Sequence, residues 1–150
     1  MKEAKAVEIL LIEDNPQDVE LTLRALGKAK VTNSIHVARD GAEALEILFG
    51  EGSDARRRIS GATKVVLLDL KLPKIDGLEV LKRIKSDPRT KLIPVVVLTS
   101  SREQSDIVES YRLGVNSYIV KPVNFERFAE AVQKAGLYWL LLNQPPHVDE

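Results

Sequence analysis

Several features are missing from the sequence, and each absence excludes a class of protein. There is no cysteine, which excludes disulfides, thiolate metal sites and thiol catalysis. Neither charge predominates, because 22 basic and 22 acidic residues cancel, whereas proteins that bind nucleic-acid phosphates usually carry a basic excess. No apolar run approaches the roughly 20 residues that cross a bilayer, and residues 1–5 lack the apolar segment of a signal peptide. We therefore expect a cytoplasmic protein without a direct nucleic-acid or membrane partner.

The composition is that of an ordinary soluble domain. Hydrophobic residues make up 44% of the chain and charged residues 29%, and a length of 150 residues suits one well-formed core. We expect a single domain over residues 1–150, with its core at about 7–135 and a C-terminal extension over about 136–150.

Short apolar runs alternate with helical patterns along the chain. The apolar runs lack polar alternation and are rich in β-branched residues, which is typical of strands buried on both faces. The predicted strands are 7–12, 34–38, 65–70, 95–98 and 117–120. The helical patterns contain apolar residues at a spacing that places them on one face. These residues are Val19, Leu23 and Leu26 in the first helix, Leu78, Leu81 and Ile84 in the third, Ile107, Val108 and Tyr111 in the fourth, and Phe125, Phe128, Ala129 and Val132 in the last. The second helix is predicted over about 41–48.

Five strands that alternate with five helices predict an α/β fold with a parallel sheet covered on both faces. Helix boundaries are indicated by Asn15 as the N-cap before Pro16 and by Gly114 after the fourth helix. In sheets of this kind the ligand site lies at the carboxyl ends of the strands, near the point where the strand order reverses. That edge of the sheet is where the functional residues are expected.

Ionisable and hydroxyl side chains follow four of the predicted strands directly. Glu13 and Asp14 follow the first strand, Asp69 ends the third, Thr99 ends the fourth and Lys121 follows the fifth. Clustered carboxylates repel one another unless a cation neutralises them, and Mg²⁺ prefers oxygen ligands of this type together with a phosphate oxygen. A carboxylate in such a site can act as a nucleophile towards phosphorus. The pattern therefore predicts a divalent-cation site that also holds a phosphoryl group.

The motifs at these strand ends resemble the receiver domains of two-component response regulators. They are Ile-Glu-Asp-Asn at 12–15, Leu-Leu-Asp-Leu-Lys-Leu-Pro-Lys-Ile-Asp-Gly at 67–77, Val-Leu-Thr-Ser at 97–100 and Tyr-Ile-Val-Lys-Pro at 118–122. The resemblance covers about residues 7–132. It implies a flavodoxin-like (βα)5 fold with strand order 2-1-3-4-5, followed here by an extended C-terminal helix. It also implies a phosphoacceptor that is not itself an enzyme in the usual sense.

The resemblance implies a role for each residue at the strand ends. Asp69 is the expected phosphoacceptor, which receives a phosphoryl group from a sensor histidine kinase. Glu13 and Asp14 form the acidic pair, and they would bind Mg²⁺, for which Mn²⁺ can substitute, together with Asp69 and the backbone carbonyl of Lys71. Lys121 is expected to pair with the phosphoryl oxygens.

Two further residues form the switch that the resemblance implies. The hydroxyl of Thr99 is expected to bind the phosphoryl group, and Tyr118 is expected to turn inward into the space that Thr99 leaves. The surface around the fourth and fifth helices would change as a result. The peptide bond between Lys121 and Pro122 is a candidate for the cis form, because the cis form costs least before proline.

The extension after the receiver motifs resembles that of the small regulators that partner bacterial phytochromes. Its segment 137–142 is apolar around most of a helix and needs cover on more than one side. We predict a stand-alone receiver that forms a homodimer and has a phytochrome kinase as its candidate partner. The alternative is that the extension folds back over its own domain. The predicted interface residues are Val123, Phe125, Tyr138 and Trp139.

Three other kinds of protein share parts of this pattern, and each differs from the sequence or from a receiver in one respect. Haloacid-dehalogenase phosphatases need a second Asp two residues after the nucleophile, where this chain has Lys71. Flavodoxin-like and dinucleotide-binding carriers need a hydroxyl- or glycine-rich phosphate loop after the first strand, where 13–16 is acidic. A pseudo-receiver, which has the fold but acts only as an interaction module, usually lacks the acceptor or the lysine. It remains the alternative function.

Overall fold

The computed structural model describes residues 8–28, 31, 33–50 and 63–134. The five strands are β1 (Ile9–Ile12), β2 (Ile35–Ala38), β3 (Val65–Leu68), β4 (Val95–Thr99) and β5 (Ser117–Val120). The five helices are α1 (Pro16–Lys28), α2 (Gly41–Phe49), α3 (Gly77–Ser86), α4 (Gln104–Arg112) and α5 (Phe125–Lys134). Within the described residues, no helix is both long enough and apolar enough to span a membrane.

The strands form one parallel sheet in the order β2-β1-β3-β4-β5, which confirms the predicted fold class and strand order. Every residue of β1, β3 and β4 is buried. Alternate side chains of these strands enter two separate hydrophobic clusters, one on each face of the sheet. This two-sided burial explains why the strands have continuous apolar sequences, and each buried Val, Leu or Ile contributes about 1.5–3 kcal/mol.

The predicted helix boundaries agree with the hydrogen bonds at the helix ends. The side chain of Asn15 accepts hydrogen bonds from the backbone N–H groups of Gln17 and Asp18, at 2.9 and 3.1 Å. Asp40 caps α2 in the same way, by accepting from the N–H of Glu43 at 2.7 Å. Gly114 follows α4 with a positive φ of 104°, the left-handed conformation that favours glycine after a helix.

Some predicted helix faces differ from those observed. Val19 and Leu26 of α1 are buried, but Leu23 is exposed. In α4 the apolar Val108 and Tyr111 are exposed, whereas the polar Asp106 and Ser110 are buried. Apolar spacing was misleading in α4 because the inner face of this helix meets a polar loop that follows β4.

The loop between β3 and α3 is held closely against the sheet. The N–H of Gly77 donates to the carbonyl of Leu70 at 2.9 Å. A Cβ at Gly77 would overlap the carbonyl oxygen of Asp69 and the Cα of Leu70, so any larger residue would displace the loop. A salt bridge of 3.4 Å joins Lys74 in this loop to Asp40 before α2. These contacts fix the backbone that follows Asp69.

Candidate functional site

The carboxyl edge of the sheet brings the predicted residues together. Glu13 and Asp14 directly follow β1, Asp69 follows the adjacent β3, and Lys121 follows β5. The first three form a group, here called the acidic cluster, in which each residue offers one carboxylate oxygen and these oxygens lie within 4.8 Å of one another. Glu13 and Asp69 are buried, while Asp14 is exposed to solvent.

Lys121 provides the positive charge at this site. Its Nζ lies 2.7 Å from Oε1 of Glu13, 3.2 Å from Oδ2 of Asp69 and 2.8 Å from Oδ2 of Asp18. Only 11% of the Lys121 side chain is exposed, so these ion pairs are shielded from water on most sides. The Lys121–Pro122 peptide bond is cis, as predicted.

Burial and charge shift the protonation equilibria of this pair. Burial is the main reason why the pKa of Glu13 rises from 4.5 to about 7; the charge of Asp69 adds to the increase, and the hydrogen bond to Lys121 opposes it. Burial alone would lower the pKa of Lys121, but its bonds to Asp18 and Glu13 and the charge of Asp69 raise it above its ordinary value. Lys121 therefore stays charged at neutral pH.

The raised pKa of Glu13 predicts a pH-dependent stability of the metal-free protein. The folded protein binds a proton at Glu13 more tightly than the unfolded chain does, so stability is lost as pH rises from 4.5 through about 7. We expect the free energy of unfolding in EDTA to decrease by about 1–3 kcal/mol over this range. Urea titrations at several pH values measure it. The same slope in Glu13→Gln would contradict the assignment to Glu13.

The acidic cluster has the donor set of a divalent-cation site. Its three carboxylates are hard oxygen ligands. The two buried carboxylates, Glu13 and Asp69, share Lys121 as a positive partner, and each has the other two carboxylates of the cluster as negative neighbours. The N–H of Lys71 donates to Oδ1 of Asp69 at 3.3 Å, which keeps the backbone of residue 71 beside the cluster. The residues present therefore fit Mg²⁺ or Mn²⁺, and the ligand role of the Lys71 carbonyl stays a prediction.

The predicted switch residues lie on β4 and β5, across β3 from the acidic pair that follows β1. Thr99 is fully buried, and its Oγ1 accepts a hydrogen bond from the N–H of Ser101 at 3.3 Å. The hydroxyl of Tyr118 donates to the carbonyl oxygen of Ser101 at 3.1 Å. Burial is the main reason why the pKa of Tyr118 is raised. Both residues therefore contact the same short loop after β4.

Asp106 joins the loop after β4 to the loop after β3, a role that the sequence did not indicate. The hydroxyl of Ser101 donates to Oδ2 of Asp106 at 2.6 Å, and Nζ of Lys71 lies 3.4 Å from the same oxygen. The charge of Asp106 raises the pKa of Lys71. Asp106 was missed because an acidic residue in the first turn of a helix is already accounted for by the helix dipole.

Asp18 is the second site residue that sequence reasoning missed. It lies in the first turn of α1, four residues after Asp14, and its carboxylate reaches Lys121 across 103 residues of sequence. The one signal in the sequence was its position two residues after Pro16, since a helix that begins directly after the acidic pair has its first turn at the site edge of the sheet.

The predicted interface residues are only partly described. Val123 is 6% exposed and packs in the hydrophobic cluster that includes Phe128 and Ile119. It is therefore a core residue and not part of an exposed face. The side chain of Phe125, together with Tyr138 and Trp139, lies outside the described residues.

Comparison with known protein families decides the classification. The family model described as the response regulator receiver domain matches residues 9–133. The chain belongs to the response regulator receiver family. Among curated proteins, this receiver is 42% identical to the probable methanogenesis regulatory protein FilR2 of Methanothrix harundinacea, over 92% of the chain and 86% of the relative. It is 39% identical to response regulator Rcp1 of Synechocystis, over 88% of each protein.

Solved structures of similar sequence give the same result. The bacteriophytochrome response regulator RtBRR is 53% identical to this receiver, with a TM-score of 0.80 over 94% of this chain and 84% of that one. The phosphorylated cyanobacterial phytochrome response regulator RcpA is 43% identical, with a TM-score of 0.73 over 90% and 94%. The Mn²⁺-bound form of Rcp1 is 35% identical, with a TM-score of 0.73 over 93% and 97%. The receiver fold and the relation to phytochrome regulators are thus established.

Proposed function

We propose that this receiver accepts a phosphoryl group on Asp69 from a phosphohistidine of a sensor kinase, in a reaction that requires Mg²⁺. The observation that carries the proposal is the position of Lys121, whose ammonium lies 3.2 Å from Asp69 and 2.7 Å from Glu13 beside the acidic cluster. An acceptor carboxylate, a neighbouring cation and a set of hard oxygen ligands are the parts that phosphoryl transfer needs.

The transfer step uses few protein groups. One carboxylate oxygen of Asp69 attacks the phosphorus, the bond from phosphorus to the histidine nitrogen breaks, and the leaving imidazole keeps the electron pair and takes up a proton. Bound Mg²⁺ would supply positive charge for the phosphoryl oxygens at the acidic cluster. Lys121 donates to the phosphoryl group from the β5 side, where its low exposure strengthens the interaction.

The switch that follows involves the loop after β4. Thr99 is the group that donates its hydroxyl to the phosphoryl oxygens, because its oxygen accepts the bond from the N–H of Ser101 and that bond does not use the hydroxyl hydrogen. Tyr118 responds through its hydrogen bond to the same loop. The helix α4 directly follows this loop, and its exposed Val108 and Tyr111 lie on the surface that a partner would sense.

Intact-mass spectrometry tests the proposal. The wild-type chain is incubated with Mg²⁺ and acetyl phosphate, and one added phosphoryl group is the expected result. EDTA should prevent the modification, because the acidic cluster then lacks the charge that balances the phosphoryl oxygens. A wild type that stays unmodified with acetyl phosphate and with a kinase that phosphorylates RtBRR or Rcp1 would favour the pseudo-receiver, a pure interaction module.

A phytochrome kinase is the proposed source of the phosphoryl group. The proposal is supported by the identity of 53% to a bacteriophytochrome response regulator and of 43% to a cyanobacterial phytochrome response regulator. It is tested by mixing the receiver with purified phosphorylated phytochrome kinases and with an unrelated histidine kinase. Transfer at equal rates from all of them would contradict a phytochrome-specific partnership.

We also propose that the receiver forms a homodimer through its C-terminal extension. The support is the sequence of residues 137–142, which is apolar around most of a helix and needs cover from a second surface. Sedimentation equilibrium at tens of micromolar should give the mass of a dimer. A monomer, with and without phosphorylation, would favour an extension that folds over its own domain.

A further inference from the structure

The Lys121 ammonium is shared by three carboxylates. Oxygens of Glu13, Asp69 and Asp18 lie 2.7, 3.2 and 2.8 Å from Nζ, and the ammonium donates hydrogen bonds to Asp69 and Asp18. An ammonium group has only three donors, so a phosphoryl oxygen competes with these carboxylates for Lys121. The proposed function therefore involves an exchange of partners at Lys121.

The three carboxylates differ in how readily each can lose its contact with the Lys121 ammonium. The side chain of Glu13 is 1% exposed, and its second oxygen already accepts from the N–H of Asn15 at 3.2 Å. Asp69 is 6% exposed and itself carries the phosphoryl group. The side chain of Asp18 is 27% exposed, so water can replace Lys121 as its partner at little cost.

The geometry also holds Asp18 in place before any exchange. The N–H of Asp18 donates to the capping side chain of Asn15 at 3.1 Å, which fixes the first turn of α1 beside the site. Asp18 is thus a carboxylate on a rigid helix end, close to the cation and open to solvent. Like Asp69, it accepts a hydrogen bond from the Lys121 ammonium, so its attraction for the ammonium competes with that of a phosphoryl group.

We propose that Asp18 is a positioning residue that holds Lys121 in the unphosphorylated protein and releases it to the phosphoryl group when Asp69 is modified. The proposal rests on the function of Asp69 proposed above. Asp18 lowers the rate of phosphorylation, because its bond to Lys121 competes with the bond that the arriving phosphoryl group needs. Removing the charge of Asp18 makes the ammonium available from the start.

The test is the initial rate of phosphorylation by acetyl phosphate at saturating Mg²⁺, followed by intact mass. Asp18→Asn should be modified about three- to fivefold faster than wild type, the size expected for a partly exposed ion pair. Asp18→Glu keeps the carboxylate and should remain within about twofold of wild type. Glu20→Gln is the matched control, because it removes an acidic charge from the same helix at an exposed pair, 3.1 Å from Arg24, and should leave the rate unchanged.

A second readout reports the contact itself. In ¹⁵N-lysine NMR spectra, the Lys121 ammonium should give a signal protected from exchange with water, and Asp18→Asn but not Glu20→Gln should weaken that protection. If wild type is phosphorylated while Asp18→Asn is modified at the same rate or more slowly, the exchange is refuted and the proposed function stands. If wild type takes no phosphoryl group at all, the proposed function fails first.

Discussion

Asp69→Asn is expected to abolish phosphorylation and at the same time to stabilise the metal-free protein. The amide is too weak a nucleophile to attack phosphorus, but it has the shape of the carboxylate and keeps an oxygen that can accept from the N–H of Lys71. Asp69 is one of the charges that raise the pKa of Glu13, so its removal reduces repulsion inside the acidic cluster. We expect the free energy of unfolding in EDTA to rise by about 1 kcal/mol.

The two effects of Asp69→Asn are measured separately. Intact mass after acetyl phosphate treatment should show no added phosphoryl group, and urea denaturation in EDTA should show the gain in stability. Asp76→Asn is the control, because Asp76 precedes α3 as its N-cap without a side-chain capping bond and asparagine is equally suited to that position. It should be phosphorylated like wild type. A phosphoryl group on Asp69→Asn would show that the acceptor is a different residue.

Lys121→Met is expected to have the opposite effect on stability and an equally severe effect on the reaction. The change leaves Glu13, Asp18 and Asp69 without their shared cation, and two of these are buried. Breaking such a pair from one side is strongly destabilising, so we expect a loss of about 2–4 kcal/mol in EDTA. Removing a donor to the phosphoryl oxygens should slow phosphorylation by about 100-fold.

Added Mg²⁺ should affect the stability of Lys121→Met and its reaction rate differently. The ion adds positive charge to the same carboxylates, so it should restore more stability to the variant than to wild type without restoring the reaction rate. Urea denaturation with and without Mg²⁺ measures the first effect, and the initial phosphorylation rate measures the second. Arg24→Met, which breaks an exposed ion pair on α1, should leave the reaction rate unchanged and shift stability by only a few tenths of a kcal/mol. A Lys121→Met variant phosphorylated at the wild-type rate would exclude the proposed role of Lys121.

The fold followed from the sequence because its three central strands are buried on both faces. In β1, β3 and β4 the buried run stays apolar over four residues, which is typical of a central strand in a parallel sheet. Helix faces were harder to predict. Val108 and Tyr111 have the spacing of a buried face but are exposed, since the inner side of α4 contacts Ser101 through Asp106.

The candidate site was predicted wherever a residue follows a strand directly. Glu13, Asp14, Asp69 and Lys121 satisfy that rule, since parallel strands end at a common edge. Asp18 and Asp106 do not, because each reaches its partner from the first turn of a helix. A helix can direct a first-turn carboxylate towards solvent or towards the sheet, and only the packing of α1 and α4 decides between them.

The order of the strands in the sequence has a consequence for biosynthesis. Glu13 and Asp69 follow the adjacent strands β1 and β3, but Lys121 is 52 residues beyond Asp69 and follows the last strand of the sheet. Until β5 joins β4, the growing chain contains an acidic cluster without its internal cation. Long-range parallel pairing is slow compared with helix formation, so we expect Mg²⁺ added during refolding to speed the folding of a chain whose β5 has not yet joined the sheet.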